Sequence, residues 1–489
     1  MLFDILDFIS RVLFILAIFY YSISLLQWYN YSAWRVLTKH HRFSWHLKYF
    51  VLPIAAFIVC FYFGQKFIFY IYLYVVYLPM LIYWASRLDK RVVFTRRVWR
   101  SFVITAAFAG LNEILFYIYN DELYFLWLMP LVFSFVICEV YEAVLMRNFV
   151  ALAKEKLSMM SGIKIVMITA SFGKTSIKNF LFQILQSQYN TYCTPRSVNT
   201  FKGIVMDINQ NLAFGTDVYI AEAGARQKGD ISQIATFLNP QYGVIGEIGK
   251  AHIEYFKTIE QVAKTKYELL ESERLRKVLI YQKNELPKLD ARLKRIVQTY
   301  PPKVRNVEAT LENTKFELEI DGEWVNFKTN ILGRFNVDNI AAAILLAREF
   351  SISIDSLKKL VKTLTPIEHR LNLSISNGKT IIDDGFNGNL NGILEGIYLC
   401  SQYKGRKVIV TPGLIESDEE SNITLAKAID STFDLAIITG EQNSRLIASY
   451  LHHTRKVQLR EKTQLENVLK GMVGEGDLVY FANDAPSYV

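Results

Sequence analysis

The apolar residues of this chain are concentrated in the first 150 of its 489 positions. Apolar runs lie there at residues 12–28, 49–64, 67–86, 101–119 and 123–145, each close to the length that crosses a lipid bilayer as a helix. A backbone inside lipid has to satisfy its own hydrogen bonds, so runs of this length predict helices. Residues 1–150 are therefore predicted to form an α-helical transmembrane domain of about five helices.

The positive residues of this region predict its orientation. Two connections between the runs are rich in basic residues, whereas the other two carry Lys66 and the segment 120–122. The basic residues are Arg35, Lys39, Arg42 and Lys48 in one connection, and Arg87, Lys90, Arg91, Arg96, Arg97 and Arg100 in the other. Because cytoplasmic connections are enriched in lysine and arginine, the N-terminus is predicted outside and everything after Arg147 in the cytoplasm. The net charge of +9 then needs no nucleic-acid partner.

A signal peptide, a disulfide framework and a zinc site are not indicated. Asp4 and Asp7 stand where a cleaved signal peptide carries basic residues. The cysteines, which have no CxxC spacing, are Cys60, Cys138, Cys193 and Cys400.

A β-branched run at residues 163–169 leads into Ser-Phe-Gly-Lys-Thr-Ser and then into a helical pattern. This is the form of a loop that holds phosphates at a helix N-terminus, with a lysine for charge and a hydroxyl for Mg²⁺. The residues expected at the phosphates are Ser171, Gly173, Lys174, Thr175 and Ser176. The sequence thus predicts nucleoside triphosphate binding. An ordinary strand, turn and helix is the alternative, because Ile168 stands where the full motif has its first glycine.

The rest of the chain alternates short apolar strands with helical stretches, which predicts parallel sheets covered by helices. The predicted strands begin at Ile163, Asp217, Tyr242, Lys379, Lys407, Asp434 and Asp477. Amphipathic segments between residues 285 and 328 predict an antiparallel appendage to the first sheet. A break at Pro366 to Arg370 places a domain boundary at about residue 370. The predicted fold is multi-domain, with a membrane domain at 1–150 and α/β domains at 151–369 and 370–489.

Further clusters follow the phosphate loop along the chain. They are TPRSVNTFKG from residue 194, AEAGAR from 221, IGKAHIE from 248, AKTKYE from 263, GRFNVDNIAAA from 333, HRL from 369 and DDGFNGN from 383. In this order they resemble the Mur ligase superfamily, and within it the MurF family, over about residues 160–489. The resemblance implies a central ATP-binding domain with a P-loop, followed by a Rossmann-like C-terminal domain.

The cofactors implied by the resemblance are ATP and Mg²⁺. Lys174 and Thr175 would contact the β- and γ-phosphates and Mg²⁺, and Glu222 would be a further Mg²⁺ ligand. His252 corresponds to a histidine that helps to hold a second Mg²⁺. Lys266 falls where the family carries a carbamylated lysine, whose added carboxylate binds that second ion.

The same resemblance assigns the nucleotide and substrate contacts. Asn336 and Asn339 would face the adenine, although Phe335 replaces the commoner histidine beside them. Arg370 would lie against the γ-phosphate, and Asp384 would contact the ribose. The catalytic residues are then Lys174, His252, Lys266 and Arg370, and the substrate residues are Ser197, Asn199, Thr200, Asn387 and Asn389.

The activity that the resemblance implies is the ATP-dependent addition of D-Ala-D-Ala to UDP-MurNAc-tripeptide through an acyl phosphate, in peptidoglycan synthesis. The expected partners are the nucleotide-sugar peptide, the dipeptide and membrane lipid. Whether other wall-synthesis proteins also bind is left open. The expected location is the bacterial plasma membrane, with the catalytic domains in the cytoplasm. MurF ligases begin with a small soluble domain that binds UDP, and this chain has apolar runs in that place.

Three alternatives stay open. The first is another superfamily ligase that acts on a different or a lipid-linked muropeptide, including an amidation partner of the MurT type. The second is a membrane ATPase or transporter, although Glu113, Glu139 and Glu142 form no evident relay in the sequence. The third is a scaffold for wall-synthesis proteins with a degenerate nucleotide site.

Overall fold

The structure is a computed structural model of the chain. It describes all residues except 1, 30, 41, 89–90, 120–127, 197, 250–255, 387–388, 415–416, 441–442, 460–463 and 484–489. The chain divides into two compact units, Met1–Asn148 and Phe149–Val489.

The first unit is helical. Its helices are α1 (Leu2–Trp28), α2 (Ala33–Lys39), α3 (Phe43–Tyr62), α4 (Lys66–Ser86), α5 (Arg96–Tyr119) and α6 (Met129–Met159), the last of which ends within the sequence of the second unit. Within the described residues, five of these helices are long and apolar enough to cross a membrane, namely all except α2. Aromatic side chains such as Phe14, Phe57 and Phe69 form the core between them.

The first candidate span is longer than the first apolar run of the sequence, because a charged residue within it is paired inside the bundle. The first begins at Ile5 instead of residue 12. Its Arg11 forms ion pairs with Asp7 at 2.7 Å and with Glu113 of α5 at 2.6 Å. The guanidinium is therefore paired within the helical unit and is not an isolated charge.

The second unit contains two mainly parallel sheets with helices packed against them. The elements of the first half are β1 (Lys164–Thr169), α7 (Lys174–Leu185), β2 (Thr191–Cys193), α8 (Phe201–Gln210), β3 (Val218–Ala223), α9 (Asp230–Leu238), β4 (Tyr242–Ile245), α10 (Ile259–Tyr267), β5 (Lys277–Tyr281), α11 (Ala291–Ile296) and β6 (Val297–Tyr300). In the part of the chain described, the first sheet has the order β2-β3-β1-β4-β5-β6 and is parallel throughout. Because β1 is central, the loop after it opens at the carboxyl edge of the sheet, where ligands of such sheets bind.

The region after β6 differs from the prediction. Strands β7 (Val304–Ala309), β8 (Thr314–Ile320) and β9 (Glu323–Thr329) form an antiparallel sheet of their own, and not an appendage hydrogen-bonded to the first sheet. Alternate residues of β8 are buried, and Phe316 and Leu318 join the core of the first domain. The sequence pattern predicted that these strands pair antiparallel to one another, but it could not predict which sheet they belong to. Helices α12 (Phe335–Glu349) and α13 (Ile354–Lys362) follow.

The second α/β sheet lies after residue 371. Its elements are β10 (Asn372–Ser376), β11 (Lys379–Asp384), α14 (Leu390–Ser401), β12 (Lys407–Thr411), α15 (Glu419–Thr432), β13 (Leu435–Thr439), α16 (Ser444–Ser449), β14 (Arg455–Leu459), α17 (Leu465–Met472) and β15 (Leu478–Ala482). The order among described strands is β10-β11-β15-β12-β13-β14, with only the β10–β11 pair antiparallel. The alternation of strands and helices thus produced the parallel sheets that it predicted.

Candidate active site

The phosphate loop connects β1 to the N-terminus of α7. Gly173 precedes the helix with φ 79°, in the left-handed region that favours glycine. A Cβ atom at this position would lie 2.5 Å from Oδ1 of Asn339 on α12. Glycine is therefore favoured by the turn, and any larger residue here would also displace the side chain of Asn339.

Lys174 folds back over the loop that precedes it. Its Nζ donates to the carbonyl oxygens of Ala170 at 2.7 Å and Ser171 at 3.0 Å. Burial lowers the pKa of Lys174 to about 8, with a further lowering by Arg370 and an opposing effect of Glu222. An anion bound in the loop would raise this pKa and stabilise the protonated amine.

Glu222, at the end of β3, lies beside the loop and is only 4% exposed. Its Oε2 accepts a hydrogen bond from Thr175 Oγ1 at 3.0 Å and lies 3.2 Å from Lys178 Nζ. Its Oε1 accepts from Asn199 Nδ2 at 3.4 Å. Burial acts to raise the pKa of Glu222, but Lys178 and Lys174 outweigh it and hold the pKa below its usual value. The carboxylate is therefore ionised and already placed beside the threonine hydroxyl.

Lys266 lies on α10 and is 4% exposed. Burial, and then the charge of Lys174, lower the pKa of Lys266 to about 7, while Asp230, Glu268 and Glu222 act in the opposite direction. Among the described residues, no hydrogen bond or ion pair to its amine is found. The side chain thus reaches the charges around Glu222 without lining the cleft itself.

Arg370 approaches the loop from the segment between α13 and β10. Burial lowers its pKa, opposed by the charges of Glu222 and Asp384, and Arg196 lowers it further. Its guanidinium therefore adds a second partly desolvated cation close to Lys174. In the described part of the chain it has no hydrogen-bonded carboxylate, which leaves its donors for a ligand.

The two predicted adenine contacts are linked to each other and to the loop. Asn336 Nδ2 donates to the Leu332 carbonyl at 2.8 Å, and its Oδ1 accepts from Asn339 Nδ2 at 3.2 Å. This leaves Asn339 Oδ1 directed at Gly173. Both asparagines line the cleft, so the two motifs that are far apart in sequence meet at one place.

The C-terminal residues occupy helix and strand ends. Asp384, at the end of β11, accepts from the backbone N–H of Leu371 at 3.0 Å and from Tyr480 Oη at 3.2 Å. Asn389 caps α14 by accepting from the backbone N–H groups of Asn391 and Gly392. Both residues line the cleft in addition to holding the backbone around it.

The predicted substrate loop reaches toward the second sheet. Thr200 caps α8 through the backbone N–H of Gly203 at 3.3 Å and does not line the cleft, whereas Asn199 does. Arg196 forms an ion pair with Glu368 at 3.0 Å and lies 4.2 Å from the ring centre of Phe386. Thr200 is thus placed as a helix cap, and Asn199 is the cleft residue of this loop.

A cleft of about 1320 Å³ unites these groups. Its lining includes the predicted residues Ser171, Gly173, Lys174, Thr175, Ser176, Asn199, Glu222, Asn336, Asn339, Arg370, Asp384 and Asn389. The volume exceeds that of an ordinary drug-sized pocket, as a site for a nucleotide together with a further substrate would require.

Three predicted residues, Ser197, His252 and Asn387, lie outside the described residues. Among the residues that are described, no three His, Cys, Asp or Glu side chains cluster as a metal site. The donor set at Thr175 and Glu222 nevertheless fits Mg²⁺, because a hard cation prefers a carboxylate with a hydroxyl beside it.

Sequence reasoning missed several groups at the site. Tyr281 Oη donates to Asp338 at 3.0 Å, and burial raises the pKa values of Asp338 and of Glu247, which also line the cleft. Lys178 was visible one helical turn beyond Lys174, and a spacing of four residues places both on one helix face. Its burial against Glu222 depends on β3, which the spacing does not reveal.

Comparisons with known proteins agree with this geometry. Residues 168–347 match the family model of the Mur ligase middle domain. A UDP-N-acetylmuramoyl-tripeptide–D-alanyl-D-alanine ligase of Bacillus subtilis is 27% identical over 336 residues, which cover 65% of this chain and 73% of that protein. The Escherichia coli protein of the same name is 25% identical over 269 residues, which cover 53% of this chain and 59% of that protein. The match therefore spans less than two thirds of the length of the Escherichia coli protein.

A solved structure shares the fold. The crystal structure of MurF ligase from Thermotoga maritima in complex with ADP has a TM-score of 0.59 and 21% identity to this chain. The match covers 69% of this chain and 80% of that one.

Proposed function

Because residues 168–347 match the Mur ligase middle domain and the relatives described above are Mur ligases, we propose that this chain is an ATP-dependent ligase of peptidoglycan precursor synthesis. It joins D-Ala-D-Ala to UDP-MurNAc-tripeptide, the reaction named in its relatives. The observation that carries the proposal is one cleft lined by Lys174, Glu222 and Arg370 together with the paired asparagines of α12. A structure of similar fold contains ADP, which supports ATP as the nucleotide.

The first step is phosphorylation of the tripeptide carboxylate. A carboxylate oxygen attacks the γ-phosphorus of ATP, the bond to the bridging oxygen breaks, and ADP leaves with that electron pair. Lys174 and Arg370 lie where they can stabilise charge on the transferring phosphoryl group, since both are cationic and partly desolvated. Lys174 would exchange its present carbonyl partners for phosphate oxygens.

The second step forms the amide. The amine of D-Ala-D-Ala attacks the acyl phosphate carbonyl, loses a proton, and expels inorganic phosphate. No nucleophilic side chain of the enzyme is required. Holding the two reactants in one cleft supplies much of the rate, because it makes their encounter intramolecular.

Thr175 and Glu222 are the described residues that would hold Mg²⁺. When bound, the ion would neutralise negative charge on the phosphates. The Glu222 carboxylate is kept ionised by Lys178 and Lys174, so this ligand needs no deprotonation.

Lys266 is proposed to act as its carbamate. A lysine reacts with carbon dioxide as the neutral amine, and a pKa of about 7 provides a substantial neutral fraction at neutral pH. Its surroundings offer Lys174 as a cation close to the new carboxylate.

The five apolar helices support a multi-pass location in the bacterial plasma membrane, with the ligase in the cytoplasm. On this proposal they keep the enzyme beside the later, membrane-bound steps of wall synthesis. A superfamily ligase that uses a lipid-linked acceptor is the second candidate, and the same helices are the observation that favours it.

The decisive experiment is product analysis by mass spectrometry with the full chain in detergent or vesicles. UDP-MurNAc-tripeptide, D-Ala-D-Ala, ATP and Mg²⁺ are expected to give the pentapeptide nucleotide and ADP. Parallel reactions offer a lipid-linked tripeptide acceptor. Product from the lipid-linked acceptor alone would assign the second candidate, and ATP hydrolysis without a ligated product from either acceptor would refute the ligase.

A further inference from the structure

Lys178 is a buried cation to which the proposed reaction assigns no step. It lies on α7, one turn beyond Lys174, and is 1% exposed. Its Nζ donates to the Thr194 carbonyl at 2.7 Å and lies 3.2 Å from Glu222 Oε2. The ammonium thus lies between the end of β2 and the end of β3, and Lys178 does not line the cleft.

The two oxygens of Glu222 have unequal surroundings. Oε2 has two close donors, Lys178 Nζ at 3.2 Å and Thr175 Oγ1 at 3.0 Å. Oε1 has only the long contact to Asn199 Nδ2 at 3.4 Å among the described residues. Oε2 is therefore occupied by donors of the protein. Oε1 could bind a cation with the loss of only one long hydrogen bond.

We propose that Lys178 is a positioning residue that determines which divalent cation the nucleotide site accepts. By occupying Oε2 it restricts Glu222 to a single oxygen for the ion. Mg²⁺ needs few protein oxygens and keeps several waters, whereas Ca²⁺ takes six to eight oxygens and readily binds both oxygens of one carboxylate. A carboxylate with one free oxygen therefore favours Mg²⁺ over Ca²⁺. The inference rests on the proposed nucleotide site.

The competing explanation is that Lys178 only neutralises a buried carboxylate and so stabilises the fold. Such a role would affect unfolding but would not alter the relative effects of two cations of the same charge. The ratio of Mg²⁺-supported to Ca²⁺-supported nucleotide binding therefore separates the two explanations.

The test measures ADP binding to the full chain in detergent by calorimetry, with Mg²⁺, with Ca²⁺, and with a chelator. Lys178→Met removes the charge and the contacts with Thr194 and Glu222, while the side chain keeps a similar length. The matched control is Lys456→Met, because Lys456, although exposed, also donates to backbone carbonyls, those of Ala448 and Leu451, within the second sheet domain. Thermal unfolding verifies that each variant is folded.

Lys178→Met is expected to lower the ratio of Mg²⁺-supported to Ca²⁺-supported affinity by about tenfold or more, the usual scale for losing a partner of a metal ligand. Lys456→Met should keep the wild-type ratio. If Lys178→Met does not fold, Lys178→Gln, which is neutral but can still donate to the Thr194 carbonyl, is measured with the same expectation.

A folded Lys178 variant with a ratio within about twofold of wild type overturns the inference and leaves the proposed function intact. A wild-type protein that binds ADP equally well with both cations also overturns it. A wild-type protein that binds no ADP under any condition overturns the inference and the proposed function together.

Discussion

Lys174 and Arg370 bring two partly desolvated cations to one cleft, although 195 positions separate them in the chain. Replacing either by alanine is expected to reduce ligation turnover by about 100-fold or more, since each removes charge stabilisation that matters most in the transition state. Steady-state ligation assays measure the loss, and circular dichroism verifies folding. Lys358→Ala and Arg445→Ala, at exposed positions, are the matched controls. Near-normal turnover of a cleft variant would remove that residue from the mechanism.

Lys266 provides a second residue-scale prediction. Lys266→Ala is expected to be inactive and to regain part of its turnover when a short carboxylic acid is added, because the acid restores the oxygens of the carbamate. Lys266→Arg should be inactive, since arginine keeps a positive charge and forms no carbamate under these conditions. Turnover of Lys266→Arg equal to wild type would show that no carbamate is needed.

The sequence predicted where some residues of the site lie, but not where others lie. Lys174, Thr175 and Glu222 were recognisable because each ends or follows a strand in a known motif order. The structure places all three at one cleft and joins Thr175 to Glu222 by a hydrogen bond. Thr200 has the same motif context, yet its hydroxyl caps α8 outside the cleft. Lys178 escaped notice because its partners, Thr194 and Glu222, come from two other strands, and a long-range pairing of this kind has no local signature.

At the scale of elements, the acidic residues of the apolar helices have acquired partners. Glu113 of α5 meets Arg11 of α1, whereas Glu139 and Glu142 of α6 meet Arg97 and Arg100 of α5. These pairs join neighbouring helices, and they account for the charges without a transport relay. The sequence showed the charges but not their pairing, because the partners lie about 40 to 100 residues apart.

The Arg11–Glu113 pair leads to a stability prediction. Glu113→Gln should lower the unfolding temperature of the solubilised protein markedly, because it leaves a buried guanidinium without one of its carboxylates, a loss of about 3–5 kcal/mol for typical buried pairs. Glu466→Gln is the matched control: its side chain pairs with Lys470 outside the apolar helices and is 53% exposed, and exposed pairs contribute about 0–1 kcal/mol. Equal unfolding temperatures for the two variants would contradict this account of the pair.

At the scale of the whole molecule, the parallel sheets and the apolar helices were predictable, because both depend on periodicity along short stretches. The strand order was not, since β15 lies between β11 and β12 although it is the last strand of the described chain. The antiparallel strands β7, β8 and β9 were predicted, but their separation from the first sheet was not, for the same reason. Local patterns fix which segments become strands, whereas neighbours in a sheet are chosen by packing across the domain.

The orientation in the membrane is a prediction for the whole chain. In a variant without its native cysteines, Gln65→Cys, between α3 and α4, should react with an impermeant thiol reagent added to intact cells. Arg96→Cys, at the start of α5, should react only after the membrane is opened, because basic connections are retained in the cytoplasm. The reverse pattern would place the ligase outside the cell and overturn the proposed location.

The most direct test of the central claim follows an oxygen atom through the reaction. UDP-MurNAc-tripeptide labelled with ¹⁸O in its terminal carboxylate is incubated with the full chain, D-Ala-D-Ala, ATP and Mg²⁺, and the phosphate released is analysed by mass spectrometry. Because the carboxylate oxygen that attacks the γ-phosphorus leaves with the phosphate when the amine attacks, one ¹⁸O is expected in the phosphate for each amide formed. Unlabelled phosphate, or AMP in place of ADP, would contradict phosphorylation of the carboxylate in this cleft.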